Sequence, residues 1–258
     1  MSLASLRRWL GPLGRYRPGL LRRNMAAGFR NCDRWSLPDW ARLPSARSPE
    51  ERLLEALDLA GKTVYDVGAF TGAYTLFFSR QVGATGRVVA FEPHASSFAT
   101  LIRNLEGNQI CNVLPLRLAL GARAETRTIF MLPGMPTTAS LDQGAHTPLR
   151  RSAGEVEIAR LDDLMAAVPL PPPDFIKVDV EGLELDLLAG ASATLGRHRP
   201  ALLIEVHGAS RGAKAARIAA LAQSLQPLGY RLTHAESGAP VAASSPLLCS
   251  GHLYARVA

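Results

Sequence analysis

An apolar run that breaks into glycine constrains this chain more than any other feature: Val64-Tyr65-Asp66-Val67-Gly68-Ala69-Phe70-Thr71-Gly72 leads straight into Ala73-Tyr74-Thr75-Leu76-Phe77-Phe78-Ser79-Arg80. The first segment is short and apolar enough for a buried parallel strand, and the second reads as a helix. A further apolar run, Val88-Val89-Ala90-Phe91-Glu92-Pro93, follows one element later. Strand, tight turn, helix and strand together open a parallel α/β sheet. Gly68 and Gly72 permit a sharp turn and a close approach to a ligand, while the helix behind them offers N–H groups and a positive dipole end to a carboxylate.

The glycine spacing separates two kinds of nucleotide pocket. A pyrophosphate binder wants Gly-x-Gly-x-x-Gly, which the loop from Gly68 to Gly72 lacks. Asp66 would repel a pyrophosphate but would hold an ammonium group, directly or through water. Glu92 ends the next strand, where a carboxylate can accept from two adjacent ribose hydroxyls. The expected ligand is S-adenosylmethionine, zwitterionic at its methionine end. The plainer alternative is that Asp66 is a turn residue, the glycines serve helix–sheet packing and Glu92-Pro93 is an ordinary strand exit.

With 258 residues the chain suits one α/β domain over 48–258 behind a basic extension over 1–47. The net charge of +7 is concentrated in that extension, where the arginines from Arg7 to Arg47 face only Asp33 and Asp39 as acids. A solvated tail is one reading; peripheral contact with an anionic membrane or a polyanion is the sharper one. Leu3 to Leu13 is interrupted by Arg7, Arg8, Gly11 and Pro12, so neither a signal-peptide core nor a span-length apolar run is present. The arginine-rich, acid-poor front resembles an organelle transit segment in composition, but its prolines and glycines spoil a clean amphipathic helix, so a cytoplasmic enzyme is the expectation. Cys32, Cys111 and Cys249 lie far apart without metal-ligand spacing and read as reduced thiols.

Along the chain, Ser48-Pro49-Glu50-Glu51 predicts a capped helix that Gly61 stops, and strands are expected at 62–67, 87–92, 111–116, 174–180, 201–207, 230–234 and 252–257. Helices are expected at 73–82, 95–106, from 161 to before Pro169, 181–195 and 213–225. The stretch from Leu118 to Gly154 reads as a substrate-facing loop or lid with one short strand over 127–132, and Val156 to Arg160 reads as another. The expected fold is α/β, a class I (Rossmann-like) methyltransferase: a mostly parallel seven-stranded sheet with an antiparallel edge strand and helices on both faces.

Ligands in such sheets bind where strands end at their carboxyl side. Lys177 and Asp179 share one face of a strand, Glu205 and His207 share one face of another, and Glu181 begins the next helix. Methyl transfer from a sulfonium needs an aligned acceptor and a proton acceptor. His207 is the natural base, and Asp179, Glu181 and Glu205 would orient the acceptor or form an oxygen-rich magnesium site, with Asp179 and Glu205 as its ligands. Lys177 would pair with one of these carboxylates. Alternatively, Glu181 caps its helix, Lys177 and Asp179 form an internal ion pair and His207 sits solvated at a strand end.

Asp66-Val67-Gly68-Ala69, Phe91-Glu92-Pro93, Ile176-Lys177-Val178-Asp179-Val180-Glu181-Gly182-Leu183-Glu184, Leu188-Ala189-Gly190-Ala191 and Leu203-Ile204-Glu205-Val206-His207 resemble the FkbM family of S-adenosylmethionine-dependent methyltransferases. Thr138-Ala139-Ser140-Leu141 and Leu161-Asp162-Asp163-Leu164 are similar to further segments of that family, whereas the arginine-rich front has no counterpart in it. The resemblance implies O-methylation of a hydroxyl on a sugar, glycolipid or natural product. It places the donor on positions matching Asp66, Gly68, Ala69, Gly72, Glu92 and Pro93.

Two competing functions stay open. An RNA-directed methyltransferase would suit the basic charge, but amino-directed base methylation usually needs Asp/Asn-Pro-Pro-aromatic where this chain has Asp179-Val180-Glu181-Gly182, and no cysteine sits at a strand end to serve as a nucleophile. A non-catalytic donor-binding scaffold docking through its basic front is the other. The acceptor and the oligomeric state are not legible.

Overall fold

The computed structural model describes residues 48–132, 135–140, 151–242 and 251–257. The basic extension, Cys32, Cys249 and Leu141 of the small-residue segment lie outside them. No helix among the described residues is long and apolar enough to cross a membrane.

Helix α1 (Pro49–Ala56) starts as the sequence predicts, with a reciprocal capping box between Ser48 and Glu51 and Pro49 in the first turn. It ends at Leu57, before Gly61. Then come β1 (Thr63–Val67), α2 (Ala73–Val82), β2 (Arg87–Phe91), α3 (Ala95–Gly107) and β3 (Val113–Leu116). After an intervening segment follow β4 (Ala119–Leu120), β5 (Glu125–Leu132), β6 (Met135–Ser140), β7 (Arg151–Ala159), α4 (Leu161–Ala167) and β8 (Phe175–Val178). The chain closes with α5 (Glu184–Gly190), α6 (Ser192–His198), β9 (Ala201–Glu205), α7 (Arg211–Leu225), β10 (Tyr230–His234), β11 (Pro240–Val241) and β12 (His252–Val257).

The main sheet has eight strands in the order β11-β10-β12-β9-β8-β1-β2-β3. Strands β9, β8, β1, β2 and β3 run parallel, as expected. The count and the antiparallel position differ from expectation. The six-residue antiparallel strand β12 is internal, pairing with β9 on one side and β10 on the other, and the edge is the two-residue antiparallel β11. Period-two alternation feeds a core on each face. Tyr65, Val67, Ile176, Val178, Leu202 and Ile204 pack with α4 to α7, whereas Val64, Val88, Phe175 and Leu203 pack with α2 and α3.

Two expectations are corrected. The stretch from Leu118 to Gly154 is not mainly a loop: β4, β7, β5 and β6 form a second, four-stranded sheet in that order. The strands expected over 127–132 and 156–160 fall in β5 and β7; their extension and their pairing into one sheet are unexpected, since the first residues of β7 are largely exposed and polar. The helix expected over 181–195 is two short helices that start later. The chain leaves β8 through Glu181 and Gly182, both at positive φ (48° and 105°), and the helical path is broken again at Ala191. Asp162 explains the restart, since its carboxylate accepts from the amides of Ala193 and Thr194 at 3.0 and 2.8 Å in the first turn of α6. Gly190 is required there, because a Cβ would collide with the Gly121 carbonyl. Helix α6 runs through Gly196 and ends before Arg199.

Candidate functional site

A cleft of about 250 Å³ opens at the carboxyl ends of β1, β2, β8 and β9, with Leu118, Leu120 and Ile129 from the second sheet's side as an apolar wall. Its charged lining is Glu92, Asp179, Glu181, Glu205 and His207, so every fixed charge facing it is an acid.

At one end, the loop after β1 turns through Gly68 (φ 87°), Phe70 (φ 50°) and Gly72 (φ 93°). Both glycines answer to the positive φ of the turn, and Gly68 answers to packing as well. A Cβ on Gly68 would strike the Asp179 carbonyl, and one on Gly72 would press on the Leu101 side chain at 2.5 Å. Gly72 caps α2 without a side-chain hydrogen bond. Gly68, Glu92 and Pro93 line the cleft, whereas Asp66, Ala69 and Gly72 do not. Asp66 is fully buried: its Oδ2 accepts from the Thr75 hydroxyl at 2.5 Å, and its Oδ1 has no hydrogen-bond partner among the described residues. Glu92 is buried to 6 % exposure yet faces the cleft. Its Oε2 accepts from the Phe70 amide and its Oε1 from the His94 amide, each at 2.8 Å. Each oxygen keeps a lone pair for another donor. Burial pushes the Glu92 carboxyl up to about 7, against the pull of those two amides.

The residues present fit S-adenosylmethionine in three respects: a doubly anchored carboxylate with acceptor capacity left, an orphaned buried carboxylate oxygen beside the glycine loop, and an acidic lining for a cation.

At the other end stands His207, just past β9, with its side chain 17 % exposed. Its Nδ1 lies 2.9 Å from Oε1 of Glu184. Its Nε2 lies 3.8 Å from Asp179, 3.7 Å from Glu181 and 3.7 Å from Glu205. Since an ionised carboxylate only accepts, Nδ1 carries the hydrogen and Nε2 of the neutral ring is the acceptor facing the cleft. Burial opposes a charge on His207, but the Glu184 hydrogen bond and the fields of Glu181, Asp179 and Glu205 outweigh it, and the imidazole titrates above its ordinary 6.5.

Glu184 is the functional residue whose role sequence reasoning missed. It is fully buried, its Oε2 accepts from Arg217 at 2.7 Å, and its Oε1 also accepts from the Gly182 amide at 3.0 Å. Burial works against its charge, but His207 and Arg217 among its partners hold the carboxyl below the usual range. The available signal was a carboxylate placed just after the Glu181-Gly182 bend and before an apolar helix.

Lys177 does not line the cleft. It is 1 % exposed, donates to Asp179 at 3.1 Å and sits 4.2 Å from the centre of the Tyr74 ring. Burial opposes its charge, but Asp179, Asp66, Glu50 and Glu205 prevail and raise its pKa. The pairing expected with Asp179 is therefore present, from behind the cleft wall. Asp179, Glu205 and His207 bring one ligand atom each within 4.8 Å of one another, a spacing a divalent ion could bridge.

A largely parallel sheet with one inserted antiparallel strand, helices on both faces and a cleft across its carboxyl ends is the class I methyltransferase fold. The chain belongs to the FkbM methyltransferase family: the family profile described as Methyltransferase FkbM domain matches residues 66–232. Among curated relatives, Methyltransferase 1 of Beauveria bassiana is 29 % identical over 143 residues, covering 49 % of this chain and 57 % of that protein. The hexuronic acid methyltransferase AglP of Haloferax volcanii is 28 % identical over 144 residues, covering 56 % of this chain and 55 % of that protein. The matches thus span little more than half the length of these two relatives. In fold, the crystal structure of a methyltransferase FkbM from Methylobacillus flagellatus is similar with a TM-score of 0.51 at 19 % identity, over 78 % of this chain and 45 % of that one.

Proposed function

We propose that this chain is an S-adenosylmethionine-dependent methyltransferase that methylates a hydroxyl of a sugar, glycolipid or related natural product. The observation that carries the reading is one acidic cleft with Glu92 at one end and an oriented, proton-accepting His207 Nε2 at the other. Glu92 would hold the ribose hydroxyls, and Asp66 with the uncapped start of α2 would support the methionine end. When bound, the donor supplies a sulfonium-activated methyl group. The chain's own part is to position a hydroxyl near His207, accept its proton on Nε2 and stabilise the resulting imidazolium with Glu184, Asp179, Glu181 and Glu205. The hydroxyl oxygen is then free to take the methyl group.

An acidic lining disfavours a polyphosphate acceptor, which argues against RNA and against a nicotinamide dinucleotide. The sugar class is supported by the hexuronic acid methyltransferase among the relatives, a statement that belongs to that protein. Magnesium at Asp179, Glu205 and His207 is a second reading, favoured by the convergence of those three ligand atoms.

Radiolabelled donor incubated with polysaccharide, lipid, small-metabolite and RNA extracts, each with magnesium or chelator, tests this. Label is expected in a hydroxyl-bearing small molecule or glycan. Label in RNA alone would overturn the acceptor class, and donor binding without transfer to any fraction would favour a scaffold.

A further inference from the structure

The inserted strand β12 lies beside β9 with His252 directly opposite Glu205 in the antiparallel register. Both residues are at the cleft end of the sheet, yet His252 and its partner Glu50 fall outside the matched residues 66–232. The imidazole of His252 is held at its far side. Its Nδ1 lies 2.7 Å from Oε1 of Glu236, and its backbone amide donates to both oxygens of the same carboxylate at 2.9 and 3.0 Å. Gly251 makes room for this, because a Cβ there would meet the Glu236 carboxylate. Anchored in this way, the ring sends Nε2 between two further carboxylates, 3.3 Å from Glu50 Oε1 and 3.6 Å from Glu205 Oε2.

Nε2 is buried between these two carboxylates and is aligned for a hydrogen bond with neither, so both lie within ion-pair distance of one fixed ring nitrogen. Glu50 is occupied on its other oxygen by the Tyr74 hydroxyl at 2.7 Å. Glu205 is the freer of the two, and its Oε1 is the atom 3.7 Å from His207.

We propose that His252 is a positioning residue for the reacting end of the cleft: fixed by Glu236, it draws Oε2 of Glu205 to itself and so aims Oε1 at His207 and the acceptor. The consequence for turnover rests on the methyltransferase reading above. The effect on Glu205 does not. Strand β12, in addition to completing the sheet, then delivers the group that sets one wall of the site. Without it Glu205 is free to turn toward solvent, leaving His207 with fewer carboxylates to stabilise its protonated form.

A double-mutant cycle in the full chain separates this from a purely structural clamp. His252→Gln is expected to lower kcat about tenfold with donor KM within about twofold, and to have no further effect in a Glu205→Gln background, because a residue acting through another is non-additive with it. An equal loss in both backgrounds, or a lowered melting temperature at unchanged kcat, would overturn the proposal. If His252→Gln does not fold, Glu236→Gln carries the same cycle: it removes the charge that anchors the Nδ1 side of the ring while keeping an oxygen that can accept from the His252 amide, and His234→Gln serves as the control for the other imidazole paired with Glu236. A crystal structure of the variant decides independently of activity: Glu205 Oε1 displaced from His207 supports the positioning role, and an unmoved Glu205 overturns it. Should the wild type transfer no methyl group to any acceptor, the function fails while this structural outcome still judges the role of His252.

Discussion

The two ends of the cleft are built differently. At the glycine-loop end, backbone does the anchoring: amides of Phe70 and His94 fix Glu92, and α2 begins without a side-chain cap. At the His207 end, side chains anchor side chains: Arg217 holds Glu184, Glu184 holds His207, and Lys177 holds Asp179 from behind. A backbone-built pocket is indifferent to most substitutions around it and suits a ligand that never varies. A pocket of stacked side-chain contacts can be retuned residue by residue, which on the proposed function suits the acceptor end.

If this division holds, substitutions at the two ends should separate chemistry from donor affinity. The largest effect is expected from His207→Ala, with kcat reduced by about 10²–10⁴-fold while donor affinity stays nearly unchanged. Isothermal titration beside initial rates checks it; a matching loss of donor affinity would merge the two ends into one. Next, Glu184→Ala leaves Arg217 and His207 without their buried partner and should cost about 3–5 kcal/mol of stability, read by denaturant unfolding. At the opposite end, Glu92→Gln should weaken donor binding by about 1.5–3 kcal/mol with kcat at saturation little altered.

The pH dependence sharpens the comparison further. Glu92 titrates at about 7, and ribose donors together with a sulfonium favour its ionised form. Donor affinity should therefore rise as pH increases through 7 and level off above it, with proton release on binding visible in buffers of different ionisation heat. His207 enters turnover instead: kcat should have an ascending limb above 6.5, because the neutral ring is the base. The smallest effect concerns stability. His252 is raised to about 9 from 6.5, so its contribution is complete below 6.5 and lost as pH rises through about 9. Melting temperature should fall over that window in the wild type and less in His252→Gln.

The same contrast governs what could be read without coordinates. The glycine-loop end follows from local order, since one strand–turn–helix–strand unit carries Asp66, Gly68, Gly72 and Glu92 within a few turns of chain. Even there, burial of Asp66 behind Thr75 and the contact of Gly68 with Asp179 are tertiary facts that spacing does not report. At the other end, Lys177, Asp179, Glu181, Glu205 and His207 were legible as polar residues at strand ends. Their partners were not, because Glu184, Arg217 and His252 become neighbours of the site only when α5, α7 and β12 pack beside β8 and β9. The second sheet escaped notice for a related reason: its pairing of β5 with β7 joins segments separated by the proline- and glycine-rich stretch that had suggested a loop.

The central claim is that a carboxylate fixed by two backbone amides receives the nucleoside of a methyl donor in the cleft that His207 also faces. A crystal structure with adenosylhomocysteine tests it most directly. Ribose hydroxyls on Glu92, with the sulfur directed toward the His207 end, are the result expected. A nucleoside bound away from Glu92, or no binding in this cleft at millimolar ligand, would contradict it.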